Sequence, residues 1–240
     1  MNKAKLMDRV LFALSVPKCV CCGKKLDYGQ KAFCRRCSLV FTQFKTRNCS
    51  KCAKILSYCN CSNSFLEGHF IKKVIKCYRY HTRDEIAPQN SLIYSLKRDN
   101  RKDVLDVCTK ELASAISNSI SDPSTYIFTN VPRRNKAIIE YGIDHSALLA
   151  QDLAKHFNTS YICLMKSNAK KPQKSQETTD RLKNADFALI KEPDLSGKKV
   201  IIVDDIITSG ASMSNAAALI RALGCKDITA ACLAIAYKDS

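Results

Sequence analysis

The stretch that most constrains the fold is residues 200–212, Val-Ile-Ile-Val-Asp-Asp-Ile-Ile-Thr-Ser-Gly-Ala-Ser. Val200 to Val203 form an unbroken apolar, β-branched run. That is the pattern of a strand buried on both faces of a parallel sheet. Asp204 and Asp205 follow at its C-terminal end, where open α/β sheets bind their ligands. Thr208, Ser209, Gly210, Ala211 and Ser212 then make a small, hydroxyl-rich loop. Residues 215–223 read as a helix stopped by Gly224.

That order has chemical content. Backbone N–H groups of a small-residue loop opening a helix cradle an anion, and the helix dipole favours a phosphate. Two adjacent carboxylates beside the cradle accept hydrogen bonds from vicinal hydroxyls. A phosphate and a diol at that separation describe a ribose 5-phosphate. Neither G-x-x-x-x-G-K-[ST] nor G-x-G-x-x-G occurs in the stretch. The alternative is an ordinary βα turn with a chance acidic pair. The stretch closely resembles the phosphoribosyl pyrophosphate (PRPP) motif of type I phosphoribosyltransferases. The resemblance implies that Asp204 and Asp205 hold the ribose hydroxyls and that Thr208 to Ser212 hold the 5-phosphate. The fold expected is α/β: a type I phosphoribosyltransferase-like parallel sheet flanked by helices, preceded by a small N-terminal, double zinc ribbon.

The start of the chain lacks a signal-peptide pattern, and its apolar runs are too short for a transmembrane segment. A cytoplasmic location is therefore expected, where 14 cysteines argue for metal rather than disulfides. Cys19/Cys22 and Cys34/Cys37 are two C-x2-C knuckles with eleven residues between them, a zinc-ribbon spacing. Gly23 supplies the backbone freedom a knuckle needs after its second cysteine, and Cys21 is an alternative ligand to its neighbours. Cys49, Cys52, Cys59 and Cys61 make a second candidate site, closed by a tighter C-x-C. A shell of four thiolates leaves no open position for substrate, so both sites read as structural zinc. So small a segment buries little core, and metal would supply its folding free energy.

Charge is uneven. Residues 1–80 hold 17 of the 39 Lys+Arg and 3 of the 22 Asp+Glu, so +14 of the formal +17 lies there. Two tetrathiolate zinc centres would still leave about +10, a strong attraction for phosphate backbones. Arg35, Arg36, Lys51 and Lys54 lie in or beside the knuckles, interleaved with Phe33, Phe41, Phe44 and Tyr58. Cations for phosphates and rings for bases suit single-stranded nucleic acid. The same rings equally suit the ribbon's own core. A basic cysteine-rich domain at 1–66 and an α/β domain at 67–240 are expected. Residues 1–16 form an amphipathic segment that caps the body or lies on a membrane surface.

Between these landmarks, residues 70–80 read as one or two strands, 91–96 as a short helix and 103–120 as an amphipathic helix. Residues 126–131 read as a strand closed by Pro132. Arg133 and Arg134 follow, a basic loop suited to a pyrophosphate at the same sheet edge as Asp204. Asp144 reads as the N-cap of a helix reaching about Phe157, with His145 a structural or rim residue. Residues 161–165, 187–190 and 228–237 read as strands. The polar segment 166–186 has the position of a flap over the ligand. Cys77, Cys108, Cys163, Cys225 and Cys232 read as buried small hydrophobes.

Cysteine knuckles followed by a phosphoribosyltransferase-like half resemble the ComF family over essentially the whole chain. Ser95-Leu-Lys97 is similar to that family's short helix with a lysine, and Val131-Pro-Arg-Arg134 to its strand-end loop. Gln176, Arg181, Asn184 and Phe187 are similar to its polar segment. The family's Arg-Gly-Phe-Asn-Gln run stands here as Tyr141-Gly-Ile-Asp-His145, without the arginine and amide donors. The resemblance implies a part in natural transformation, handling single-stranded DNA on the cytoplasmic side of the uptake machinery. It also implies PRPP with Mg²⁺ as ligand, and other DNA-uptake proteins such as a helicase as partners. The alternative is an active phosphoribosyltransferase transferring 5-phosphoribosyl from PRPP to an acceptor that no residue group in the chain identifies.

Overall fold

The computed structural model describes residues 16–49, 51–61, 66, 69–80, 87–133, 138–140, 142–168 and 187–236. The amphipathic segment ahead of residue 16, Arg134, and nearly all of the segment 166–186, with Gln176, Arg181 and Asn184, lie outside them. The elements in chain order are α1 (Arg35–Lys45), β1 (Ile71–Arg79), α2 (Pro88–Arg98), α3 (Lys102–Ser119), β2 (Tyr126–Asn130), α4 (His145–His156), β3 (Met165–Ser167), β4 (Phe187–Leu189), β5 (Lys199–Ile207), α5 (Ala211–Ala222) and β6 (Asp227–Ile235).

The apolar run at 200–203 becomes the middle of β5, an inner strand of an all-parallel sheet ordered β1-β6-β5-β2. Its side chains alternate between two cores. Val200 and Ile202 pack with α5, through Met213, Ala216, Ala217 and Ile220. Ile201 and Val203 pack with α3 and α4, through Leu112, Ile116, Leu149 and Leu153. Both faces are covered, which is why the run carries no polar alternation. Each buried aliphatic side chain contributes about 1.5–3 kcal/mol.

The helices that follow β2 and β5 lie on opposite faces of these neighbouring strands. The crevice between the carboxyl ends of β2 and β5 is therefore a topological switch point, the place where such sheets bind ligands. The expected strand at 161–165 is different. Tyr161 makes a single parallel bridge to Phe128 at the β2 edge. The chain then leaves the sheet, and β3 pairs antiparallel with β4 as a separate ribbon.

The cysteine-rich segment packs on the sheet's first core. Leu26, Phe33 and Phe41 share that core with Ile75, Tyr78 and Leu92. The Phe33 and Phe41 ring centroids are 4.7 Å apart, and Phe41 and Tyr78 5.3 Å. Phe33 and Phe41 are thus core residues rather than exposed platforms for bases. Tyr58 is 52% exposed, and Phe44 is half-buried with the Arg47 guanidinium 3.9 Å from its ring centroid. Polar ties join the segment to α3. Lys31 pairs with Asp106 at 2.9 Å, Lys45 with Glu111 at 2.6 Å, and the Ala32 N–H donates to Asp103 at 3.0 Å.

Candidate functional site

Asp204 and Asp205 lie within β5, just past its buried centre. Asp204 Oδ1 accepts from the Asp205 N–H at 2.8 Å and from Ser146 Oγ, at the start of α4, at 3.2 Å. Asp205 pairs with the Lys97 ammonium of α2 at 3.0 Å. Burial, then the neighbouring Asp205 charge, holds the Asp204 carboxyl well above the usual carboxylate range. After the pair, Thr208 and Ser209 are exposed, and Ala211 and Ser212 are half-buried. Gly210 caps α5 in the left-handed region at φ 92°, a conformation that favours glycine. The first-turn N–H groups of a helix have no intrahelical partner, which makes this end a ready anion cradle.

The loop after β2 meets the pair from the other side. Asp144 caps α4 by accepting from the Ala147 N–H at 3.1 Å, and accepts the Arg133 N–H at 3.0 Å. Arg133 Nη1 donates to Ile143 O at 3.2 Å and to His145 Nδ1 at 2.6 Å. It also reaches Lys97 O at 3.5 Å, so Arg133, Lys97 and Asp205 form one connected group. The sequence marks Asp204, Asp205 and the loop. Ser146 it misses, and Lys97 enters only by resemblance. Their partners lie far along the chain, so no local pattern shows them. A cavity of about 280 Å³ opens beside this group, lined by Val20, Tyr80, Ser91, Tyr94, Lys97 and Ile206 among others.

The eight knuckle cysteines form two groups. Cys19, Cys22, Cys34 and Cys37 make one, and Cys49, Cys52, Cys59 and Cys61 the other, each with its sulfurs within 4.8 Å of one another. Cys22 and Cys34 sulfurs are 3.7 Å apart, and Cys52 and Cys59 3.5 Å. Four thiolates at zinc bond length around a tetrahedral ion stand about 3.8 Å apart, so the donor sets fit Zn²⁺. Both four-cysteine clusters could therefore bind zinc. Cys21 stands outside the first group.

The two leading knuckles repeat one hydrogen-bond pattern. The Gly23 N–H donates to Cys19 O at 2.9 Å and the Ala53 N–H to Cys49 O at 2.8 Å. The Cys19 N–H donates to Lys24 O and the Cys49 N–H to Lys54 O, both at 2.7 Å. Ala53 takes the positive φ of 57° where Gly23 has 72°. Burial opposes the Cys19 thiolate, but N–H donors from Cys22, Cys34 and Cys21 bring its pKa down to about 7. Cys49 is likewise brought to about 7, against burial, by the Cys52 and Lys51 N–H groups. Arg35, Arg36, Lys51 and Lys54 are all exposed around these clusters. Among the described residues, no helix is long and apolar enough to cross a membrane.

Residues 142–240 match the phosphoribosyl transferase domain family. With the parallel sheet and its flanking helices, this is a type I phosphoribosyltransferase-like fold. The competence protein ComFC of Streptococcus pneumoniae is 22% identical over 227 residues, spanning 88% of this chain and 96% of that protein. Among solved structures, a purine phosphoribosyltransferase from Pyrococcus horikoshii is 20% identical, with a TM-score of 0.36 over 55% of this chain and 72% of that one. A hypoxanthine phosphoribosyltransferase from Staphylococcus aureus is 16% identical, with a TM-score of 0.36 over 55% and 62%.

Proposed function

These matches are consistent with a ComF-family protein, and from that premise we propose that the chain binds a phosphoribosyl ligand of the PRPP type while its cysteine-rich segment holds single-stranded DNA. Its setting in this reading is DNA uptake in competence, on the cytoplasmic side. One observation carries the ligand reading. The acidic pair and the glycine-capped start of α5 adjoin at the switch point between β2 and β5. Asp204 and Asp205 would take the ribose hydroxyls, and residues 208–212 the 5-phosphate. Mg²⁺, bound with the pyrophosphate, would neutralise part of its charge. Arg133 lies beside the pair but is held by Ile143, His145 and Lys97, so its part is to shape the loop. The DNA reading is supported by the charge of residues 1–80 and by the exposure of Arg35, Arg36, Lys51 and Lys54.

Calorimetric titration with PRPP and Mg²⁺ tests the ligand site. Binding is expected in the wild-type protein and none in Asp204→Asn/Asp205→Asn, whose circular dichroism stays native. Equal affinity in both proteins removes the site. DNA affinity, followed by fluorescence anisotropy, is expected to fall steeply with salt. Replacing any one of the four cations by alanine should lower that slope by about 0.7, the value for one phosphate on a single strand. The cavity beside Lys97 favours a second reading, transfer of the phosphoribosyl group to an acceptor seated there. Release of pyrophosphate on adding an acceptor separates that reading from simple binding.

A further inference from the structure

Lys76 lies near the middle of β1 and is fully buried. A lysine is almost never buried completely unless it is paired. Its ammonium donates to Cys61 O at 2.7 Å and to Cys59 O at 2.9 Å, with Val74 O at 3.4 Å. Two of these three carbonyls belong to candidate zinc ligands. Carbonyls satisfy the ammonium's hydrogen bonds but carry no formal charge, and among the described residues none of its partners is a carboxylate. An isolated charge is costly to bury. A zinc ion held by four thiolates carries a net negative charge, which would stand next to this ammonium. The first cysteine cluster is tied differently, through Arg101 donating to Lys18 O at 2.6 Å, outside its ligand residues.

We propose that Lys76 is the positioning residue of the second zinc centre: it fixes the Cys59–Cys61 backbone for ligation and balances the tetrathiolate's charge, so that metal and lysine keep each other buried. The proposal rests on zinc filling Cys49, Cys52, Cys59 and Cys61. It ties that centre to the sheet that carries the acidic pair, because Lys76, Cys232 and Asp204 are register neighbours across β1, β6 and β5.

The test uses the full-length, zinc-loaded protein. Wild type is expected to hold two zinc equivalents, and Lys76→Met to release one of them to a chromogenic chelator about 10–100-fold faster, the range for partners of metal ligands. The other equivalent leaves at the wild-type rate. In the cobalt-substituted proteins, the thiolate-to-metal charge-transfer bands of the second centre shift when the ammonium is removed. A packing role alone would leave those bands in place. A second arm needs no variant. Acylation of wild-type amines, read by mass spectrometry, should spare Lys76 while both zincs are bound and modify it once the labile equivalent is chelated. Lys72, exposed on the same strand, should react throughout. Two equivalents with unchanged release in Lys76→Met, or a Lys76 still protected after chelation, overturn the role. A single equivalent in wild type overturns the second centre and the role with it.

Discussion

At His145 both ring nitrogens are engaged. Nδ1 accepts from Arg133 Nη1 at 2.6 Å, and Nε2 faces Asn100 Oδ1 at 2.8 Å, which fixes the Nε2–H tautomer. The residue is 2% exposed. Burial, then the Arg133 guanidinium, lowers its pKa to about 4. An unfolded histidine titrates near 6.5, so between these values the unfolded chain binds the extra proton. The stability His145 contributes is thus fully present above about pH 6.5 and is lost as pH falls toward 4. Between pH 7 and 5 we expect wild type to lose on the order of 1–2 kcal/mol more than His145→Gln in urea unfolding. Parallel losses in the two proteins would refute the depressed pKa. The sequence reads His145 as a structural residue at a helix start, and these bonds agree. It could not show Asn100 or Arg133 as partners, because nothing local in the chain sets that contact.

Elements whose signals are local were legible. The run at 200–203, the knuckle spacing and the Asp144 cap each depend on neighbouring residues, and each took its expected form. The strand expected at 161–165 depended instead on an open sheet edge, and only Tyr161 bridges there. Helix α5 begins at Ala211 rather than near residue 215, because small hydroxyl residues suit a first turn as well as a loop. Its end illustrates a constraint that the sequence states correctly but understates. Gly224 has φ 91°, and a Cβ there would stand 2.4 Å from Ser196 Oγ and 3.2 Å from the Ser196 nitrogen. The Leu195 N–H also donates to Leu223 O at 2.8 Å, fixing that approach. Gly224→Ala should therefore cost about 1–3 kcal/mol, combining left-handed strain with a steric clash. Gly197→Ala, at φ 71° with open space around it, should cost only about 1 kcal/mol. Equal losses in chemical denaturation would mean that the Ser196 contact carries no weight.

For the whole molecule, composition separates a basic cysteine-rich segment from an α/β body, yet packing runs across that division. Leu26, Phe33 and Phe41 belong to the same core as Ile201, Val203 and Leu112. Asp103, Asp106 and Glu111 of α3 all bond to residues 31–45. A composition profile cannot show this, since it records where charges sit but not what the aromatics between them touch. The consequence concerns metal. The segment's fold depends on its thiolate clusters, and its aromatics complete the core of the sheet. Chelating both zincs should therefore lower the melting temperature of the entire molecule in one transition, by about 2–4 °C for each kcal/mol withdrawn. Hydrogen exchange gives the decisive reading. Amides of β5 should lose protection together with those of residues 16–49 when the metal is removed. If β5 keeps its full protection while the cysteine-rich segment exchanges freely, the segment is an independent module, and the shared core around Phe41 contributes little to holding the sheet.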